Sequence, residues 1–361
     1  MFVGCGVELG RTPAQILFAS RSREFAPPDF SRPHGYNYAT ERSHRPGAAI
    51  DRKQEPSVLA LDTADTQKET WPSPHRKRAR AGRARQAGAT LYRRLTAPAR
   101  LLPDFIIIGG QRCGTTSLYR YLIRHPGVVP ALKKEVHFFD NNFGKGIHWY
   151  RAHFPWALQR AYARQALHRD MITGEASPYY IFHPLAPHRI AATIPHVRLI
   201  ALLRNPIDRA YSHYQKEVWK GRESLSFEEA IEQEPKRLRG EREKIIENGD
   251  YQSIIYRRFS YLSRGVYADQ IEAWQDLFPR EQILMLKSED LYRDPSATLH
   301  RVLAFLRLPD LPGWQPEGYR QYNRHAYPEM EGATRKRLAE YFAPHNRRLY
   351  ELLGADFGWE R

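Results

Sequence analysis

The fold is decided by one stretch of the chain, residues 105–124, with the sequence FIIIGGQRCGTTSLYRYLIR. Its first four residues are β-branched or aromatic, which is typical of a strand buried on both faces of a sheet. After a glycine-rich turn, Leu118, Tyr121 and Leu122 recur at helical spacing and form one apolar face. The sequence HPG at 125–127 predicts the end of this helix. The stretch therefore predicts a strand, a turn and a helix in succession.

The same alternation continues towards the C-terminus. Strands are predicted at 197–203 and 283–286, because both are continuous apolar runs. Helices are predicted from Pro206 through Val218, at 266–278, and from Pro295 onwards. Strands that alternate with helices indicate an α/β fold whose central parallel sheet is covered on both faces. We predict one P-loop-like three-layer sandwich over residues 101–361, in which the highly charged segment 226–258 is a helical insertion.

The first hundred residues differ in composition from the rest of the chain. Short apolar patches without periodicity predict a mostly disordered extension, 1–100, with a weak helix near Leu91 to Leu95. Residues 76–100 hold nine lysines and arginines and no acidic residue, within a chain of net charge +16. Such a run is typical of a solvated basic tail, or alternatively of contact with nucleic acid or anionic lipid. We favour the solvated tail and expect no specific nucleic-acid partner. Weak contact of residues 76–100 with an anionic membrane is kept as the alternative.

Cysteine usage and hydropathy bear on the compartment. Cys5 and Cys113 are too few and too far apart for a disulfide framework, which favours a reducing compartment. No run of about 18 apolar residues is present, so no membrane-spanning segment is predicted. The N-terminus also lacks the basic start and apolar core of a secretory signal. These features predict a soluble cytoplasmic protein.

The turn after the first predicted strand has the residues of a phosphate-binding loop. Gly109 and Gly114 have the spacing of a P-loop, but Thr115 stands where nucleotide triphosphatases place a lysine. The nearby cation is Arg112, and a helix N-terminus adds unpaired N–H groups and partial positive charge. Hydroxyl donors are available from Thr115, Thr116 and Ser117. We predict a site for a phosphate-like anion; the alternative is a glycine turn needed only for tight strand-to-helix packing.

The motif GQRCGTTSL at 110–118 resembles the 5′-phosphosulfate-binding loop of sulfotransferases that use 3′-phosphoadenosine 5′-phosphosulfate (PAPS). Further motifs of this family follow in order: KEVHFFD at 134–140, GEASPYY at 174–180, RNPIDRAYSHY at 204–214, RGVYA at 264–268 and DFGW at 356–359. The resemblance covers nearly all of 101–361 and none of the first hundred residues. It is strongest to the heparan-sulfate-type enzymes (N-deacetylase/N-sulfotransferases and 3-O-sulfotransferases) and their bacterial relatives.

This resemblance implies a PAPS-dependent sulfotransferase that transfers a sulfuryl group to a hydroxyl or amine. The family pattern assigns the 5′ end of the donor to Arg112, Cys113, Gly114, Thr115, Thr116 and Ser117, and the 3′-phosphate to Arg204 and Ser212. Arg204 also ends a predicted parallel strand, where ligands of open α/β sheets bind. Near the C-terminus, NRHAY at 323–327 replaces the family's Lys-Gly-Arg donor loop, and Arg324 is expected to supply part of its function.

The resemblance also implies the catalytic groups. Glu135 occupies the place of the family's catalytic glutamate and is expected to act as the base. Arg112 is expected to stabilise the charge that develops on the leaving phosphate. Burial beside aromatic residues would raise the pKa of Glu135, whereas Lys133 and Lys134 would lower it, so the direction is left open.

His137 is expected to orient Glu135 or the acceptor; the alternative is a hydrogen-bonded core histidine. Asp140 and Glu175 are weaker candidates for acceptor contact. The scheme requires no metal, and the sequence contains no Cys/His cluster that would hold one.

Two residues depart from the family pattern. Arg112 replaces a lysine, so assistance to the leaving group would be purely electrostatic. Ala176 stands where heparan-type enzymes have a lysine that meets the acidic polysaccharide, which argues against a glycosaminoglycan acceptor. We expect a glycan or glycolipid acceptor. The rival functions are a P-loop nucleotide kinase or NTPase, disfavoured by the missing lysine after Gly114, and a non-catalytic nucleotide- or nucleic-acid-binding protein.

Overall fold

The computed structural model describes residues 88–166, 168, 170–311, 318–322 and 326–360. The extension predicted to be disordered, up to residue 87, and the predicted donor-binding residue Arg324 lie outside these ranges. The strands are β1 (Phe105–Gly109), β2 (Val128–Pro130), β3 (Ile172–Ala176), β4 (Arg198–Leu203) and β5 (Ile283–Lys287). The α-helices are α1 (Thr115–Leu122), α2 (Phe138–Asn141), α3 (Ile147–Arg151), α4 (Ala157–Ala166), α5 (Ala186–Thr193), α6 (Pro206–Trp219), α7 (Phe227–Leu238), α8 (Glu241–Glu247), α9 (Ile254–Phe259), α10 (Tyr267–Gln275), α11 (Ser288–Arg293), α12 (Pro295–Leu306) and α13 (Gly332–Leu353). Short 3-10 helices lie at Ala97–Ala99, Phe143–Lys145, Ser263–Gly265 and Arg280–Gln282.

The described strands form one parallel sheet of five strands in the order β2-β3-β1-β4-β5. In the central strand, Ile106 lies level with Glu175 of β3 and Leu199 of β4. Because neighbouring strands run the same way, the turns after β1 and β4 open at the same edge of the sheet. The predicted phosphate turn and Arg204 therefore meet there.

The side chains of β1 alternate between two apolar layers. Ile106 and Ile108 pack into a cluster that includes residues of α5, α10 and α13. Phe105 and Ile107 pack into a second cluster with residues of α1 and α12. Layers of helix on both faces of a parallel sheet confirm the predicted three-layer α/β sandwich.

β2 and β3 were not predicted from the sequence. β3 has the sequence ITGEA, whose glycine and polar residues break the apolar pattern that identifies a buried strand. Thr173 and Glu175 are nevertheless fully buried. Thr173 Oγ1 donates to the carbonyl oxygen of Val129 at 2.7 Å, so its burial is compensated by a neighbouring strand.

The predicted helical insertion at 226–258 is confirmed and comprises α7, α8 and α9. Ser226 and Glu229 form a capping box that fixes the start of α7. Phe227 and Ile231 bury this helix against α6 and α13 in a third apolar cluster. The insertion is thereby joined to the helix that begins after Arg204.

Residues 88–95 form a further α-helix that precedes α1 and carries no number here, in agreement with the predicted weak helix. Arg93 Nη1 donates to the carbonyl oxygen of Ala152 at 2.7 Å, and Arg100 Nη1 to that of Phe154 at 3.0 Å. The guanidinium of Arg100 also lies 4.7 Å from the ring centroid of Trp156. These contacts tie residues 88–100 to the α/β domain; where the N-terminal extension ends and the domain begins stays a prediction.

Candidate functional site

A cavity of about 1360 Å³ opens at the edge of the sheet where β1 and β4 end. The predicted site residues that line it are Arg112, Gly114, Thr115, Thr116, Glu135, His137, Arg204 and Ser212. They come from the turn before α1, the loop before α2, the end of β4 and the middle of α6. Residues that are far apart in sequence therefore share one cavity.

The turn before α1 has backbone angles that few residues adopt. Gly114 is the N-cap of α1 with φ 91°, and a Cβ atom there would lie 2.7 Å from Tyr292 Oη. Arg112 also has positive φ, 71°, which is strained for a residue with a side chain. The first N–H groups of α1 have no acceptor within the helix. The turn thus presents backbone donors and one cationic side chain to the cavity.

The two predicted donor-binding arginines lie side by side. Arg112 Nε donates to Ser212 Oγ at 3.0 Å, and Arg204 Nη1 donates to the carbonyl oxygen of Arg112 at 3.4 Å. Burial, together with the charge of Arg204, lowers the pKa of the Arg112 guanidinium. Burial also lowers the pKa of Arg204, but Asp208 and Tyr327 outweigh it and the net change is upward. Two neighbouring guanidinium groups in a cavity form a strong site for an anion.

The motif at 264–268 supports both turns, a role that sequence reasoning did not assign to it. Arg264 Nη1 donates to Gln111 Oε1 at 2.6 Å, and its guanidinium lies 4.8 Å from the ring centroid of Tyr179. Burial lowers the pKa of Arg264 to about 10. Tyr267 Oη donates to the carbonyl oxygen of Arg204 at 2.9 Å. The turn after β1 and the turn after β4 are thus held by two neighbouring residues of one segment.

The predicted base, Glu135, is paired with two cationic groups. Its Oε2 lies 3.3 Å from His137 Nε2, and its Oε1 forms an ion pair with Lys134. Burial raises the pKa of Glu135, but the hydrogen bonds and charges of His137 and Lys134 outweigh it and lower the pKa to about 2. Burial lowers the pKa of His137, but Asp140, whose Oδ2 lies 2.6 Å from Nδ1, and Glu135 together raise it to about 9. At neutral pH the site therefore holds an ionised glutamate beside a protonated histidine.

Glu175 and Asp140 are placed behind this pair rather than in the cavity. Glu175 is fully buried and accepts hydrogen bonds from Tyr150 Oη at 2.8 Å, Tyr180 Oη at 3.1 Å, Ser177 Oγ at 2.7 Å and the Val136 N–H at 3.0 Å. Burial raises the pKa of Glu175. This carboxyl group anchors the loop that carries Glu135 to β3. Asp140, also buried, orients His137. Both were considered for acceptor contact, and neither lines the cavity.

Two predicted donor-binding residues direct their side chains into the core. Cys113 is fully buried with Sγ 3.9 Å from Tyr267 Oη, and burial raises the pKa of its thiol to about 11. Ser117 is also fully buried, and its Oγ accepts from the Tyr322 N–H at 3.1 Å. These side chains are not among the groups that line the cavity. Donor contact by either residue through its backbone stays a prediction.

The cavity rim carries cations that sequence reasoning missed. They are Lys216, Lys220 and Arg222 at the end of α6, and Arg257 and Arg258 on α9. Trp219 lines the same rim with 69% of its surface exposed. The buried carboxylate Glu217 pairs with two of these cations, with Lys216 Nζ 2.7 Å from Oε1 and Arg222 Nη1 3.5 Å from Oε2. Lys216 could have been identified from the sequence, because it follows the predicted donor-binding residue Ser212 by one helical turn and therefore lies on the same face of the helix. Over the described ranges, no group of three or more His, Cys, Asp or Glu residues is arranged to hold a metal ion.

The fold and this cation-lined cavity agree with the family comparison. The profile of the sulfotransferase domain matches residues 102–329, and the chain belongs to this family of enzymes. Membrane-associated sulfotransferase kil1 of Dictyostelium discoideum is 27% identical over 326 residues, covering 72% of this chain and 67% of that protein. Heparan sulfate glucosamine 3-O-sulfotransferase 3B1 of Mus musculus is 30% identical over 285 residues, covering 73% and 66%. A crystal structure of a sulfotransferase from Alicyclobacillus acidocaldarius, 32% identical, covers 72% of this chain and 100% of its own, with a TM-score of 0.54.

These relatives confirm the predicted resemblance to heparan-sulfate-type enzymes and a bacterial sulfotransferase. The chain spans about two thirds of the length of the two curated relatives. The predicted cytoplasmic location is wrong, because the matched relatives include a membrane-associated sulfotransferase and an enzyme of heparan sulfate. The prediction used cysteine number and the lack of an apolar run, and neither property specifies a compartment. In the part of the chain that the structure covers, no helix has both the length and the apolar character to cross a bilayer.

Proposed function

We propose that this sulfotransferase moves a sulfuryl group from PAPS to a hydroxyl or amine of a glycan or glycolipid, with Glu135 as the base. One observation carries the proposal: Arg112, Arg204, Ser212 and Glu135 line the same cavity. A donor with two anionic ends and an acceptor that must lose a proton require this combination of groups.

The chemistry of the cavity fits the donor. Arg204 and Ser212 would hold the 3′-phosphate, and Arg112 with the backbone of the α1 turn would hold the 5′ end. PAPS supplies the sulfuryl group and a phosphate leaving group. The cavity, about 1360 Å³, is larger than the roughly 300–1,000 Å³ of a typical ligand pocket, which leaves space for an acceptor beside the nucleotide.

The roles of the protein groups follow from the expected transition state. Sulfuryl transfer should resemble phosphoryl transfer, in which charge grows on the leaving oxygen. Arg112 and the first N–H groups of α1 would stabilise that charge. Glu135, with its pKa near 2, is always ionised at neutral pH but is a weak base. The ion pair between Lys134 and Glu135 is one cause of this low pKa. If the Lys134 ammonium turns to the anionic donor instead, that ion pair is lost and Glu135 becomes more basic.

The acceptor proposal rests on the relatives and on the rim. The Mus musculus relative is named for heparan sulfate, which supports a glycan acceptor. Ala176 is fully buried on β3, so this position does not contact an acceptor. Lys216, Lys220 and Arg222, on α6 and just after it, line the cavity instead. Glu217 pairs with Lys216 and Arg222, so these four residues together carry a net positive charge.

The test is incubation of the full chain with radiolabelled PAPS and a panel of glycan, glycolipid and small-alcohol acceptors. We expect labelled glycan or glycolipid, lost in Glu135→Gln while binding of the product 3′,5′-diphosphoadenosine is retained. Glu247→Gln, which changes an exposed glutamate on α8, is the matched control and should transfer at the normal rate. Equal loss of transfer and product binding in Glu135→Gln would refute its role as base. Magnesium-dependent ATP hydrolysis without sulfuryl transfer would instead support the kinase or NTPase alternative.

A further inference from the structure

One surface of the domain exposes several apolar side chains together. Within the described residues, eleven large hydrophobic side chains are exposed, and five of them lie on the helix at 88–95 and on α4. These five, which we call the N-terminal patch, are Leu91, Tyr92, Leu95, Leu158 and Tyr162. Leu95 and Leu158 are 73% and 74% exposed. Isolated surface leucines are ordinary, but several exposed apolar side chains on two adjoining segments indicate an interaction site.

The two segments of the patch pack against each other. The ring centroids of Tyr92 and Trp156 are 6.2 Å apart, and Trp156 directly precedes α4. Arg151 Nη1 donates to the carbonyl oxygen of Pro98 at 3.1 Å. The patch therefore comprises two adjoining segments, which are tied together beside it by the bond from Arg151 to Pro98.

The geometry of the helix at 88–95 directs Leu91 and Leu95 outward. Arg93 holds the inner face of this helix through its hydrogen bond to Ala152. Leu91 and Leu95 are each two residues from Arg93, which places them roughly 160–200° around the helix from it. They follow one another at i and i+4, so they form one ridge on the side that faces away from the domain.

The charge around the patch is mainly positive. Residues 70–103 and 151–169 contain no Asp or Glu. Arg94 and Arg164 are exposed beside the apolar side chains. Asp104 reaches α4 and neutralises Arg160 in an ion pair. Residues 76–85, which precede the helix at 88–95 in the sequence, add six more lysines and arginines.

We propose that the N-terminal patch docks on an anionic lipid bilayer. Outward leucines and tyrosines insert at the boundary between headgroups and acyl chains, and arginines beside them contact lipid phosphates and carboxylates. Nucleic acid fits this surface less well, because its phosphates use the cations but leave the leucine ridge in water. Docking of this kind is peripheral and reversible, and it does not depend on the proposed reaction.

The experiment is sedimentation of the full chain with sucrose-loaded vesicles. We expect binding to phosphatidylcholine vesicles that contain about 30% phosphatidylserine, weak binding to phosphatidylcholine alone, and release at high salt. The double variant Leu95→Asp/Leu158→Asp should lose affinity by at least about tenfold. Ile254→Asp, which changes an exposed apolar residue on α9, is the matched control and should bind as the natural chain does.

A second pair of variants tests the charge. Arg94→Glu should lower vesicle affinity by about 25-fold, since it replaces one favourable charge by one unfavourable charge at about fivefold each. Arg347→Glu makes the same change at an exposed position on α13 and should have little effect. Thermal unfolding of each variant establishes that it is folded. The proposal is overturned if the natural chain ignores anionic vesicles, or if the patch variants bind as well as their controls, because binding would then come from 76–87 or from the cavity.

Discussion

Asp140→Asn tests whether the buried carboxylate behind His137 sets the charge of the candidate active site. Asp140 Oδ2 lies 2.6 Å from His137 Nδ1, and Glu135 Oε2 lies 3.3 Å from Nε2. The difference between the pKa of about 9 and the ordinary value of 6.5 corresponds to about 3 kcal/mol in favour of the protonated ring. Asp140 makes the shorter bond, so we assign it the larger part, about 2 kcal/mol. Its removal should bring the pKa of His137 down towards the ordinary value.

The same interaction should appear in stability with a definite sign. The pKa of His137 is higher in the folded state, so its contribution is complete below about pH 6.5 and is lost as the pH rises through about 9. Asp140→Asn should therefore lower the free energy of unfolding by about 2 kcal/mol near pH 6, and the difference should shrink above about pH 9.

NMR titration of the imidazole signals and urea unfolding at the two pH values are the measurements. The chain has 15 histidines, so His137→Gln identifies the relevant signal. Asp310→Asn is the control, because Asp310 pairs with His300 at 3.3 Å on the surface and should leave the His137 titration unchanged. An unchanged His137 pKa in Asp140→Asn, or an equal loss of stability at both pH values, would refute the reasoning.

Three other predictions concern donor binding. Arg204→Ala should weaken binding of 3′,5′-diphosphoadenosine by about 1.5–3 kcal/mol in isothermal titration calorimetry, with Arg347→Ala as the neutral control; unchanged affinity would remove Arg204 from the site. Arg112→Ala should slow sulfuryl transfer more than it weakens product binding, and a loss in binding alone would contradict its catalytic role. Gly114→Ala should abolish donor binding and lower the melting temperature, because its Cβ would lie 2.7 Å from Tyr292 Oη. Adding Tyr292→Phe should recover only part of the loss, since φ remains 91° at a cost of about 1–2 kcal/mol for alanine.

Local sequence patterns were sufficient for the central elements of the fold. Residues 105–124 combine a buried apolar run, a glycine turn and a helical apolar face, and the structure has β1, the turn and α1 in those positions. β3 was missed because its polar residues are buried through bonds to distant segments. Glu175, for example, is stabilised by Tyr150 and Tyr180 as well as by its own neighbours, and no local pattern indicates such partners.

The residues of the candidate site could be predicted wherever they belong to a sequence motif. Their pKa values and side-chain directions could not, because these depend on distances and angles in the folded chain. Arg112, Arg204 and Glu135 were identified from motifs, and the fold brings them to one cavity. The direction of the Glu135 pKa depends on distances to His137 and Lys134 that composition does not contain. Likewise, the motif does not indicate that the Cys113 side chain is fully buried, in a turn where Arg112 and Gly114 both have positive φ.

Arg264 connects the turn after β1 to α9, the last helix of the insertion. Besides Gln111, this single guanidinium binds the carbonyl oxygen of Arg257 at 2.7 Å on α9, which carries part of the cationic rim. The turn after β1, which we propose holds the donor, and α9, at the proposed acceptor side, are thus connected through one guanidinium group. The helices α7 to α9 could be replaced by those of a relative in order to change acceptor preference. Because Arg264 joins α9 to the turn after β1, this replacement would also lower nucleotide affinity unless Arg264 and the residue at 257 were transferred together.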